Sequence, residues 1–176
     1  MLKRLFAPSP TKAAGQRLYA AAAVKARDPA FYLAGGVPDT HEGRFELYTL
    51  HVALVLRRLK GEGEGAAAVR QALFDAYVRS LDDSLRDMGV GDLSVGKKMR
   101  KLGEAFYGRL KGYDETLTAD DAGALRAMIG RTVFRNAEIP GVELVTDYVQ
   151  RASAALAAVP ADAVLAGDLP WPELTP

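Results

Sequence analysis

Apolar residues recur along this chain at intervals of three and four, broken by glycine and proline, and nowhere do they alternate with the period of two that a half-buried strand requires. Ser9 before Pro10 predicts an N-cap with proline at the first helical position, opening a helix to about Arg27. Asp28-Pro29 repeats that logic for a short helix, AFYLAG, which Gly35-Gly36 ends. Asp39 or Thr40 caps the next helix, from about Thr40 to Lys60. There Phe45, Leu47, Tyr48, Leu50, Ala53, Leu54, Val55 and Leu56 cover most of the circumference, the pattern of a central helix. GEGEG, residues 61–65, reads as the linker out of it. Ala66 to Met88 carries the stripe Val69, Leu73, Tyr77 (or Ala76), Leu81 and Leu85, and Gly89 stops it.

Ser94 is expected to cap the following helix, to about Leu110 or Tyr113. Thr118 with Asp121 resembles a capping box for a helix reaching about Arg135, although Asp replaces the usual Glu or Gln. Asn136 to Gly141, with Pro140, breaks the chain before a last long helix, Val142 to Val159. PADAVLAG reads as a turn and LPWPELTP as a proline-flanked tail. The expected fold is all-α, a single-domain irregular bundle of about six substantial helices. A basic arm at residues 1–9 precedes the helical body, 10–159, and an acidic tail, 160–176, follows it.

The helix near residues 94–113 is unusual because it places glycine inside an amphipathic pattern. At about 100° per residue, Val95, Met99, Leu102, Phe106, Leu110 and Tyr113 fall within roughly 80°, a core-facing stripe. Lys97, Arg100, Lys101, Glu104 and Lys111 gather opposite, a mostly cationic face. Gly96 and Gly103, seven residues apart, share one flank between the two. Each costs about 1 kcal/mol relative to alanine, so that flank is expected to admit something close. An internal neighbouring helix is the favoured occupant, and an external helix or lipid headgroup the alternative. Gly108 and Gly112 read as loosening or ending the helix.

The charge balance, 23 Lys+Arg against 22 Asp+Glu in 176 residues, leaves +1 and no global attraction to nucleic acid or anionic lipid. Its distribution is one-sided at the ends. Residues 1–27 hold Lys3, Arg4, Lys12, Arg17, Lys25 and Arg27 without a carboxylate, and the segment after Val159 holds Asp162, Asp168 and Glu173 without a base. With no cysteine there is no disulfide, thiolate metal site or thiol nucleophile, which fits a reducing compartment. Pro8, Pro10 and Lys12 interrupt the basic start before an export signal could form. The run Leu47–Leu56 is half of the ~20 residues a membrane span needs.

Catalytic patterns are missing. His41 and His51 lie ten residues apart on one expected helix, about 15 Å in rise, too far to share a metal, and His51 within LHVAL reads as a core histidine with a buried hydrogen-bond partner. No phosphate-binding loop, dinucleotide fingerprint or nucleophile elbow occurs. Asp82-Asp83 and Asp120-Asp121 stand where solvation or capping explains them. The sequence therefore points away from an enzyme, a metal or a cofactor. The run KKMRK lacks the interleaved aromatics of a nucleic-acid surface.

Two segments carry a resemblance: GVPDTHEGRFELYTLHVALVLRRLK (Gly36–Lys60) and SLRDMGVGDLSVGKKMRKLGEAFYGRLKGYD (Ser84–Asp114). In this order and spacing they closely resemble the ubiquinol-cytochrome c chaperone family, over roughly residues 20–150. The resemblance implies an assembly factor without enzymatic turnover for the ubiquinol-cytochrome c reductase (cytochrome bc1) complex, acting on newly made cytochrome b. It implies cytochrome b or other bc1 subunits as partners, and a cytoplasmic protein peripheral to the inner membrane; the short chain suggests a bacterial version. Mitochondrial members carry tryptophans near the positions of Arg44 and Ala53, where this chain has none. The contact with client or membrane is expected at Lys97, Arg100, Lys101, Gly103 and Lys111. A peripheral lipid-binding module, reading anionic headgroups through the N-terminal basic helix and the face of residues 97–111, with room for an apolar acyl pocket between helices, is the alternative.

Overall fold

The structure, a computed structural model, describes residues 9–137 and 139–175. Eight helices follow one another: α1 (Pro10–Ala26), α2 (Pro29–Leu33), α3 (His41–Arg58), α4 (Gly63–Asp87), α5 (Asp92–Thr118), α6 (Ala122–Thr132), α7 (Gly141–Ala158) and α8 (Ala161–Ala166). Six of them are substantial and the described residues hold no strand. Lys3 and Arg4 of the basic arm lie outside the described residues.

Capping side chains set half of the helix starts. The Ser9 hydroxyl accepts from Lys12 N–H at 3.3 Å, Asp28 from Ala30 N–H at 2.9 Å, Thr40 from Gly43 N–H at 3.1 Å and Asp121 from Ala124 N–H at 2.8 Å. Several boundaries depart from the sequence expectation. Helix α4 begins at Gly63, inside the GEGEG expected to be a linker, so that segment is only partly a connection. Ser94 does not cap α5, because its own N–H already bonds the carbonyl of Gly91, the true N-cap, at 2.8 Å. Nor does α5 end near Leu110: buried Tyr113 carries it inward, and the Thr116 hydroxyl donates to the Gly112 carbonyl at 2.8 Å. Thr118 is the last residue of α5, so Asp121 caps α6 alone, and α6 stops at Thr132 before Arg135 and Asn136 turn at positive φ (54° and 67°). PADAVLAG forms α8, which Gly167 ends at φ 106°.

Helix α3 is the axis of the fold. Every residue from Thr49 to Leu56 is buried, as expected of a helix apolar around its whole circumference. One side meets α2, α6, α7 and Tyr113 of α5 through Leu47, Leu50, Ala53 and Leu54; the other meets α1, α4 and Phe106 through Val52, Val55, Leu56 and Leu59. Each Leu or Val among these withdrawn from water contributes about 1.5–3 kcal/mol before entropy is counted. Because Ala53 is fully buried, its position is not part of any exposed contact.

Three polar groups of α3 are buried with this apolar surface, and each meets a different helix. Glu46 accepts from Arg109 of α5 at 2.7 and 3.1 Å, a two-pronged ion pair. Thr49 and Tyr77 of α4 share a hydrogen bond of 2.6 Å. His51 donates from Nδ1 to the Leu47 carbonyl at 2.8 Å, which leaves Nε2 to accept from the Tyr148 hydroxyl of α7, also at 2.8 Å. Phe31 and Trp171 pack edge-on against the same imidazole, with ring centroids at 5.4 and 5.0 Å. The tail is thereby tied to the body, and Leu174 is buried with it.

The other close approach is between α1 and α4. A Cβ on Gly15 would lie 2.5 Å from the backbone carbonyl carbon of Ala72, so only glycine lets these helices meet at this height. Alanines 14, 22, 23 and 26 keep the rest of the α1 face low.

Candidate binding surface

Helix α5 presents both faces read from its sequence. Val95, Phe106 and Tyr113 are buried and Met99, Leu102 and Leu110 half-buried, so the apolar stripe faces inward. Lys97, Lys98, Arg100, Lys101 and Lys111 are exposed. Lys111 stands 3.7 Å from Glu115, a loose surface pair. Glu46 raises the pKa of the Arg109 guanidinium through its hydrogen bonds, and this pair fixes the C-terminal half of the helix to α3.

The glycine flank corrects the sequence reading. Nothing lies within 4 Å of a Cβ built on Gly96 or Gly103, so no internal helix fills the gap. Gly108 is also open, whereas Gly112, which read as a helix-ending glycine, is the one against a neighbour: its Cβ would stand 2.7 Å from the Met128 sulfur of α6. The reason is azimuth. Gly112 faces α6, while Gly96 lines the side between α5 and α4 and Gly103 meets no neighbour.

That side holds a groove of about 710 Å³ whose floor is Phe74, Val78, Val95 and Met99 and whose wall includes Gly96. Arg79, Asp82, Arg86 and Asp92 form its charged rim. Arg86 pairs with Asp82 at 2.6 Å and with Asp92, closing the rim across the α4–α5 turn. Tyr107 continues the apolar line, its ring 5.7 Å from that of Phe74 and 58% exposed. At the tip, Leu93 is 101% exposed and Met88 45%, large apolar side chains that folding leaves in water.

Sequence reasoning missed the groove because it treated each helix separately. One signal was legible: Gly96, Gly103 and Tyr107 share an azimuth on α5. The other candidate chemistry is structural. His51 is fully buried and burial lowers its pKa to about 4, so it stays neutral in the core. His41 is exposed in the first turn of α3, Asp82 is paired with Arg86 and Asp121 is a cap. Among the described residues no group of three metal-ligating side chains converges, and no helix is long and apolar enough to cross a membrane.

The sequence model of the family described as Ubiquinol-cytochrome C chaperone matches residues 33–171. The chain belongs to this family. The matched span holds α3 to α8 and ends at Trp171, so it takes in the axis, the whole α4–α5 groove and the aromatic contact of the tail on His51. Ubiquinol-cytochrome c reductase complex assembly factor 1 of Homo sapiens is 31% identical over 163 residues, which are 91% of this chain and 54% of that protein. The Xenopus laevis protein of the same name is 26% identical over 162 residues, 91% of this chain and 81% of that one. The chain thus spans about half the length of the human and mouse relatives. The crystal structure of the Cbp3 homolog from Brucella abortus matches with a TM-score of 0.86 at 35% identity, covering 99% of this chain and 98% of that one. Its fold is therefore shared along essentially its full length.

Proposed function

We propose that this protein is a non-enzymatic assembly factor for the ubiquinol-cytochrome c reductase complex that holds newly made cytochrome b at the cytoplasmic face of the inner membrane. Family membership across residues 33–171 carries the reading. The α4–α5 limb supports it: an unassembled membrane subunit offers apolar helices with charged flanks, and the limb offers an apolar groove beside cations. In this reading the Gly96–Gly103 line lets a client helix backbone come close, while Lys97, Arg100, Lys101 and Lys111 engage acidic loops or headgroups at its end. Deleting the gene should lower cytochrome b and bc1 activity with the cytochrome b transcript intact. Normal complex levels in the deletion strain would sink the proposal.

A second reading, a peripheral lipid-binding module, is favoured by one observation: Leu93 lies fully exposed a turn from Lys97. Interfacial helices combine those features. Flotation separates the two, since a lipid module alone would bind anionic vesicles at low salt and leave bc1 assembly untouched on deletion.

A further inference from the structure

A second hollow, of about 300 Å³, opens where α3, α4 and α5 meet, and it is lined by Arg57, Lys60, Arg70, Tyr107, Leu110, Lys111 and Asp114. Four cations thus surround one carboxylate. Asp114 answers two of them, at 2.7 Å from Lys60 and 3.4 Å from Arg57, both near the C-terminal end of α3 where its dipole favours positive charge. That accounts for the α3 pair. It does not account for Arg70 from α4, and Lys111 from α5, held only loosely by Glu115 at 3.7 Å, brings further positive charge from another helix to the same place. Arg57 is also held by Ser153 and Thr118, to which it donates at 3.2 and 3.3 Å, but the Nε of Arg70 is buried without a hydrogen-bond acceptor, a donor taken from water with nothing in return. Leu110 and the half-exposed ring of Tyr107 supply an apolar wall beside these charges.

We propose that this hollow is a binding site for a phosphate group carried on an organic scaffold. The phosphate would sit among Arg70, Lys111 and Lys60, whose guanidinium and ammonium donors match its oxygens, and the esterified carbon portion would lie on Tyr107 and Leu110. A bare carboxylate would leave part of this positive charge unanswered. The proposal is independent of the assembly role. Soluble phosphate esters and phospholipid headgroups share the chemistry, and the experiment distinguishes them.

Two probes are used on the full chain: inorganic pyrophosphate by titration calorimetry, and phosphatidylcholine vesicles with or without phosphatidic acid by flotation. Wild type should bind at least one probe saturably. Arg70→Gln should weaken that binding about tenfold or more, the loss expected for a charge-assisted hydrogen-bond donor, and Arg131→Gln, an exposed charge on α6, should not. Arg70-dependent pyrophosphate binding assigns a soluble phosphate ligand, and Arg70-dependent capture by vesicles alone assigns a lipid headgroup; either supports the site. If Arg70→Gln does not fold, Lys111→Gln on the exposed rim decides by the same criterion. Failure of both probes, binding unchanged in the Arg70 variant, or equal loss in the Arg131 variant overturns the proposal.

Discussion

Two glycines test the packing argument because the same substitution should move stability in opposite directions. Gly103→Ala relieves the helix penalty of about 1 kcal/mol. With nothing within 4 Å of the new Cβ, the gain is kept whole. For a chain of 176 residues that raises the melting temperature by roughly 2–4 °C. Gly15→Ala gains the same propensity in α1, but its Cβ would stand 2.5 Å from the Ala72 carbonyl carbon and 2.6 Å from the Leu73 nitrogen. These are backbone atoms of α4, which yield only if the two helices separate. Overpacking of that kind costs about 1–3 kcal/mol, so the net change runs from about zero to a loss of about 2 kcal/mol. Calorimetric melting of both purified variants is the assay. A Gly15 variant as stable as the Gly103 variant would refute the reasoning, and so would a Gly103→Ala protein melting below wild type. Gly103→Leu extends the test to function: it should fold, since the space is open, yet lose capture of cytochrome b from solubilised membranes. Retained capture would remove Gly103 from the contact.

The triple change Lys97→Glu, Arg100→Glu and Lys101→Glu should leave folding intact, each exposed substitution moving stability by less than about 0.5 kcal/mol, while bc1 assembly in a complemented deletion strain falls; assembly at the wild-type level would make this face merely solvated. Burial holds folded His51 neutral down to about pH 4 whereas its ordinary value is 6.5, so the unfolded chain takes up a proton first and stability falls as pH drops through that window, by up to about 3 kcal/mol at about 1.4 kcal/mol per pH unit. Urea midpoints should show this slope in wild type and lack it in His51→Gln; equal slopes would count against it. Glu46→Ala strands Arg109, whose side chain is 27% exposed, so the loss should be about 1–3 kcal/mol, below the 3–5 of a fully buried pair, and a urea midpoint unmoved by the change would show that water replaces the partner.

The helices were legible because periodicity and capping are local. Ser9-Pro10, Asp28-Pro29 and the nearly all-apolar stretch around Leu50 led to α1, α2 and α3 within a few residues. What failed depends on distant partners. Gly108 and Gly112 read as loosening or ending the helix, yet α5 runs on because Tyr113 is drawn into the core that α6 and α7 complete, an instance of tertiary packing overriding propensity. The polar partners of α3 show the same limit. A histidine amid apolar residues announced a buried hydrogen bond, but nothing local to Glu46 or Arg109 announces a pair 63 residues apart in sequence. For the candidate surface, the cationic face and the glycine line are properties of one helix and could be read. The groove is lined by residues of both α4 and α5, a pairing that no single-helix wheel contains.

The distribution of polar anchors also explains why the candidate surface sits where it does. Each buried polar group of α3 has its partner at one height, so sliding α5 by a single turn, about 5.4 Å, would strand both Glu46 and Arg109 in a region with little water. Register is thereby fixed in the second half of α5, near Arg109 and Tyr113. The first half is held differently: Val95 and Met99 rest on α4 apolar surface, and the polar contact at its start is the exposed Arg86–Asp92 ion pair, worth at most about 1 kcal/mol. Dispersion contacts tolerate small displacements that a hydrogen-bonded pair does not. The α4–α5 limb therefore combines a rigid root with a tip that can adjust its spacing at low cost, and it is at that tip that Gly96, Leu93 and the cations of residues 97–101 lie. Under the proposed function, a client helix of imprecise shape would be accommodated by a change in spacing without breaking the polar contacts that define the fold.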